Sequence, residues 1–160
     1  MLEELTIAAD APARPDVAAL LGAHLRFTTS ISPPEDMHAL DVDGLSGPGM
    51  SFFSARASGG RLAAVGAIKE LDFRHGELKS MHTAEAARGQ GIARMMLAHL
   101  LAVASERGYE RVSLETGSHD VFAPARALYR SAGFIVCEPF ANYRPSANSV
   151  FMTLALNRAR

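Results

Sequence analysis

The chain has 160 residues, enough for one domain with a real core, and its 48% hydrophobic and 21% charged residues make an ordinary composition for a soluble protein. Sixteen Lys and Arg stand against seventeen Asp and Glu, and a net charge of −1 argues against binding nucleic acid through phosphate neutralisation. No long apolar run marks a transmembrane helix, and the start Met-Leu-Glu-Glu lacks the basic-then-apolar order of a secretory signal. The single Cys137 can form neither an internal disulfide nor a cysteine zinc site, so a cytoplasmic protein is the simplest reading.

Leu5–Ala8 carries a short strand signal, and Asp10 to Arg14 reads as a loop between Ala9 and Pro15. Asp16–Phe27 is expected to be helical, because Val17, Leu20, Leu21 and Leu25 recur at helical spacing. Ser32 would cap a second short helix running to about Leu40, and Gly44 to Gly49 is a turn-rich break. Ser51–Ala57 and Arg61–Lys69 follow as strands joined at Ser58-Gly59-Gly60. A turn at Arg74-His75-Gly76 leads to a strand over Glu77–Thr83. A helix then runs from Ile92 to about Arg107, closed by Gly108. The remaining elements are a strand at Arg111–Glu115, a helix at Phe122–Ala132 ended by Gly133, and strands at Phe134–Cys137 and Val150–Leu156. Hairpins, then a strand–helix–strand crossover, describe one α/β domain over residues 1–160 with a single mixed sheet.

The segment Arg88-Gly89-Gln90-Gly91-Ile92-Ala93 joins a strand directly to a helix. Glycine lets backbone approach a ligand closely, and a helix N-terminus offers N–H groups and a positive dipole end to an anion such as pyrophosphate. The same spacing also fits a tight turn that binds nothing. A P-loop is excluded, since no Gly-Lys-Ser/Thr follows, and a dinucleotide fingerprint lacks its third glycine, where Arg94 stands. Six histidines are scattered without ligand spacing, so no metal is expected.

Arg88, Gly91 and Ala93 match the Arg/Gln-x-x-Gly-x-Gly/Ala signature of the GCN5-related N-acetyltransferase (GNAT) superfamily, which the sequence resembles. The run from Ala125 through Leu128-Tyr129 to Gly133-Phe134 is similar to the Ala-x-x-Leu-Tyr-x-x-x-Gly-Phe segment of many such domains. Glu77–Met81, Leu114–Gly117 and Asn148–Met152 look like a bacterial branch of uncharacterised acetyltransferases. The resemblance covers roughly Phe52 to Leu156 and implies a mostly antiparallel mixed sheet with a splayed central strand pair and flanking helices. It implies acetyl-CoA as co-substrate. Backbone of Met81, His82 and Thr83 would hold the pantetheine, and Arg88, Gly89, Gln90, Gly91, Ile92 and Ala93 the pyrophosphate. Many relatives carry asparagine at the pantetheine position occupied here by Phe122.

The resemblance makes Tyr129 the candidate acid for the departing thiolate, since a phenol near pKa 10 can protonate a thiol near 8.5 at modest cost; half-buried packing is the alternative role. Glu115, at a strand end opposite the cofactor strand, is a candidate base or a structural carboxylate, and His82 could relay protons. The expected activity is transfer of acetyl to the primary amine of a small molecule. A silent acyl-CoA-binding module and a protein-tail acetyltransferase are the alternatives. The acceptor would lie between Phe27–Leu40 and the segments Glu115–Arg126 and Phe140–Arg144, where arginines such as Arg126 could clamp a carboxylate or phosphate. No nucleic acid or membrane partner is expected, and a homodimer is left open.

Overall fold

The computed structural model describes residues 4–31 and 42–156. Strand β1 (Leu5–Ala9) leads to helix α1 (Pro15–Ile31), which Pro15 opens and whose first turn holds Asp16. Val17 and Leu21, one turn apart, are completely buried, and each such side chain contributes about 1.5–3 kcal/mol of burial. The helix continues past Phe27, and the second helix expected from Ser32 to Leu40 lies outside the described residues. One turn of helix, α2 (Val42–Leu45), occupies the start of the expected break, because Leu45 is drawn into the core.

Strands β2 (Met50–Ala57), β3 (Leu62–Asp72) and β4 (His75–Thr83) form a meander. The β3–β4 turn falls at Phe73–Arg74, earlier than the expected 74–76. The reason is local: Asp72 Oδ1 accepts the Arg74 N–H at 2.7 Å and closes the turn early. Helix α3 (Ile92–Glu106) carries the crossover to β5 (Arg111–Gly117). Helix α4 (Ala123–Ser131), β6 (Ile135–Val136) and β7 (Ser149–Ala155) complete the chain.

The seven strands form one sheet in the order β1-β2-β3-β4-β5-β7-β6. Every neighbouring pair is antiparallel except β4–β5, which the α3 crossover makes parallel. Alternation along β3 divides the core: Val65 and Ala67 join Val17 and Leu21 of α1, while Ala64 and Ile68 join Met96 and Leu100 of α3. The start of α1 is clamped to β2. Arg56 reaches Asp16 at 2.6 Å and Asp10 at 3.1 Å, and Asp10 also accepts the Ser54 hydroxyl at 2.5 Å. Burial opposes the Asp10 charge, but hydrogen bonds from Ser54, the Ala11 N–H and Arg56 outweigh it and hold the carboxyl at about 2.

Candidate active site

Strands β4 and β5 pair over three residues only, His75 with Arg111, Gly76 with Val112 and Glu77 with Ser113. Beyond that point β4 stays with β3, and β5 stays with β7 as far as Gly117 opposite Ser149. A bulge drives the separation. Val65 pairs with His82 and Ala67 with Lys79, so Ser80 and Met81 share the single place opposite Gly66. Ser80 takes a left-handed φ of 53°, and its buried hydroxyl has no hydrogen-bond partner among the described residues. Strain and an unsatisfied hydroxyl at one residue mark a place where the fold serves something besides its own stability.

One end of the resulting cleft is the glycine turn. Gly89 and Gly91 both have φ of 78°, and a Cβ on either would meet no atom within 4 Å, so the space beside them is open. Gly91 is the residue before α3, and no side chain caps that helix. Its first-turn N–H groups thus lack a side-chain cap, and an uncapped helix start with its positive dipole end favours an anion.

Toward the other end stands Tyr129. Two residues past the end of α4, Gly133 takes a φ of 103°, and the chain folds back so that the Phe134 N–H bonds the Tyr129 carbonyl at 3.1 Å. The buried Phe134 ring packs edge-on against Tyr129 at 5.8 Å, which fixes the phenol. Its hydroxyl meets the Met81 sulfur at 3.9 Å, across the splay. Burial, and then the charge of Glu115, push the Tyr129 phenol up to about 12, so it holds its proton throughout the neutral range.

These parts line one cleft of about 800 Å³. Of the residues expected from sequence, Met81, His82, Thr83, Arg88, Gly89, Gly91, Ile92, Ala93, Phe122 and Tyr129 all contribute to its wall. Gln90 and Glu115 are not part of that wall. Glu115 acts at a distance, its charge raising both Tyr129 and Tyr143. His24 carries no sequence signal for this site. It lies on the flank of α1, stacked on His82 with ring centroids 4.6 Å apart. Burial lowers His24, and burial followed by the charges of His24 and Arg88 lowers His82 to about 4. Both imidazoles are neutral at pH 7.

Across the sheet from Tyr129, the loop between β6 and β7 brings a second phenol over the splay. Tyr143 donates to the buried Glu77 carboxylate and accepts from Lys79 Nζ at 2.7 Å, while Lys79 also pairs with Glu77 at 3.2 Å. Phe140 and Tyr143 pack against each other and against Phe151. Arg126, expected as an anion clamp, is turned inward: one of its guanidinium nitrogens donates to the carbonyls of Gly117 at 2.6 Å and His119 at 3.0 Å. Among the described residues, no group of three or more His, Cys, Asp or Glu is disposed to hold a metal ion. No helix among them is long and apolar enough to cross a membrane.

The sheet opens between its two parallel strands, with the uncapped start of α3 and the buried Tyr129 phenol in the wall of one cleft. Residues 17–134 match the acetyltransferase (GNAT) family, and the chain belongs to it. It is 52% identical over 140 residues to the uncharacterized N-acetyltransferase YsnE of Bacillus subtilis (strain 168), covering 88% of this chain and 92% of that one. A crystal structure from Klebsiella pneumoniae, described as an acyl-CoA N-acyltransferase, superposes with a TM-score of 0.78 at 29% identity, over 96% of this chain and 98% of that one. A GNAT family acetyltransferase from Elizabethkingia anophelis, solved with acetyl-CoA bound, shares the fold with a TM-score of 0.70 at 18% identity, over 95% of this chain and 98% of that one. The protein is therefore an acyltransferase of the N-acetyltransferase type.

Proposed function

We propose that the protein transfers an acetyl group from acetyl-CoA directly to the primary amine of a small molecule. The carrying observation is the Tyr129 hydroxyl, buried in the cleft that begins at the glycine turn and bonded to nothing stronger than a thioether. A phenol so placed is spare for chemistry. That the Elizabethkingia anophelis relative holds acetyl-CoA in the same fold supports the choice of donor.

In this reading the pyrophosphate rests on the N–H groups that open α3. The freed backbone of Met81–Thr83 pairs with the pantetheine amides as an added strand would, and one N–H meets the thioester oxygen as charge develops on it. The neutral amine attacks the acyl carbon, the C–S bond breaks, Tyr129 gives its proton to the sulfur, and the proton shed by nitrogen returns to the phenolate. Burial raises the phenol, but the thiolate forms in the same dry cleft and its pKa rises for the same reason, so the transfer stays within reach. The test is thiol release from acetyl-CoA by purified protein, with and without a panel of small amines and with Lys-containing peptides. Small amines should raise thiol release well above the amine-free rate. Acceleration by peptides alone, or by no acceptor, overturns the reading.

A further inference from the structure

The α1 side of the cleft has a feature that thioester chemistry does not require. Two ring pairs tie α1 to opposite walls of the opening. His24 stacks on His82 of β4 at 4.6 Å, tilted by 43°, and Phe27 meets Phe122 edge-on at 5.9 Å and 72°. Phe122 is held there by Gly117 at the end of β5. A Cβ at residue 117 would lie 2.1 Å from the Phe122 ring, so glycine at one position and phenylalanine at the other form a matched pair. Phe27 is 40% exposed, and its ring belongs to the cleft wall together with Phe122, His24 and His82.

We propose that these four rings form an acceptor subsite for a flat aromatic ring, so that the amine accepted is carried on such a ring and bears no carboxylate or phosphate. This inference rests on the acetyl-transfer reading and narrows its substrate class. Aromatic rings prefer offset or edge-on partners at the separations these pairs keep, and the part-exposed Phe27 ring on the cleft wall leaves a flat guest such a partner. Leu20 and Ala23 add apolar surface from α1. The charged side chains of the described wall are Glu85, Arg88 and Arg94, and all three belong to the glycine-turn end. Arg88 reaches His82 with its charge, but the described wall brings no cation to the Phe27 and Phe122 rings. An anionic substituent there would enter without a counter-charge from the described residues, and Arg126 is already engaged by two carbonyls. The subsite does offer a polar handle, the buried His24 Nδ1, which has no hydrogen-bond partner among the described residues. An amine on an aromatic ring is uncharged at neutral pH and can attack without prior deprotonation. Its nitrogen bonds to the acyl carbon as the C–S bond breaks, the thiolate takes the Tyr129 proton, and the proton shed by nitrogen restores the phenol.

The experiment has two arms. Calorimetry measures binding of aniline, cyclohexylamine and 4-aminobenzoate to the protein saturated with coenzyme A, and thiol release measures their acetylation. Aniline should bind about tenfold more tightly than either comparator. The aniline-to-cyclohexylamine ratio should collapse in Phe27→Ala and survive in Phe27→Tyr, a comparison that cancels any general effect on folding or cofactor. Equal or tighter binding of cyclohexylamine or 4-aminobenzoate, or a ratio unchanged in both Phe27→Ala and Phe122→Leu, overturns the subsite. The two readings fail separately. Aniline bound with the expected preference while no amine is acetylated leaves the subsite standing and removes acetyl transfer, whereas turnover of aliphatic amines with no preference for aniline does the reverse.

Discussion

Two tyrosines, the buried Tyr129 and the half-buried Tyr143, stand on opposite sides of the splay, and they are held in opposite ways. Tyr143 is bonded to Glu77 and Lys79, inside a polar knot that fastens the β6–β7 loop to the sheet. Tyr129 is fixed by its backbone and by the Phe134 ring, while its hydroxyl meets only a sulfur among the described residues. Burial raises both phenols, and the charge of Glu77 drives Tyr143 further. The difference separates a hydroxyl spent on the fold from one left over for a ligand. Buried polar groups are normally satisfied because an unsatisfied one costs about 1–3 kcal/mol. Among the described residues, Ser80, His24 Nδ1 and the weakly bonded Tyr129 hydroxyl lie along the splay or the cleft it opens, while His99, His119 and Ser149 carry unsatisfied atoms outside the cleft wall.

The contrast can be broken most directly by removing each hydroxyl. Tyr129→Phe should lower kcat about tenfold to a thousandfold while acetyl-CoA affinity stays nearly intact, because the proton is needed only as sulfur departs. Single-turnover kinetics under conditions where chemistry limits the rate checks this, and a kcat within about twofold of the wild type would make Tyr129 a packing residue like its counterpart. The glycine turn gives the next largest effect. Gly91→Val should weaken acetyl-CoA binding at least about tenfold, since a side chain there fills the open space beside an uncapped helix start and strains a positive φ. Calorimetry on a variant whose circular dichroism matches the wild type decides it.

Tyr143→Phe should show the reverse pattern of Tyr129→Phe. It strips Glu77 of a hydrogen bond and should cost about 2 kcal/mol, or a Tm lower by about 4–8 °C, with kcat little changed. Thermal denaturation and steady-state kinetics on the same preparation read both. The smallest effect is in pH. His82 is lowered to about 4 in the folded protein, so the unfolded chain binds the extra proton first, and stability falls as pH drops from about 6.5 through 4. His24→Phe keeps a ring against His82 and removes a second charge that would repel it, and should flatten that fall in denaturation midpoints taken across the range.

How much of this was legible follows from range along the chain. The glycine turn and the Tyr129–Phe134 run could be read because each is a local backbone device: a left-handed residue, a helix start or end, and a ring placed by the chain reversal. The mixed sheet followed from hairpins preceding a crossover. The bulge at Ser80 could not, since serine carries no signature for a positive φ. Nor could the Gly117–Phe122 fit or the His24–His82 stack, whose partners meet through tertiary packing. Arg126 shows the limit in the other direction. A side chain read as an anion clamp is used by the fold to bind carbonyls of Gly117 and His119.

A crystal structure with acetyl-CoA bound tests the central claim most directly. The account predicts the pyrophosphate over residues 88–93, the pantetheine between β4 and β5, and the thioester sulfur within hydrogen-bond reach of Tyr129 Oη. A thioester lying away from Tyr129, with water or protein between sulfur and phenol, would contradict it.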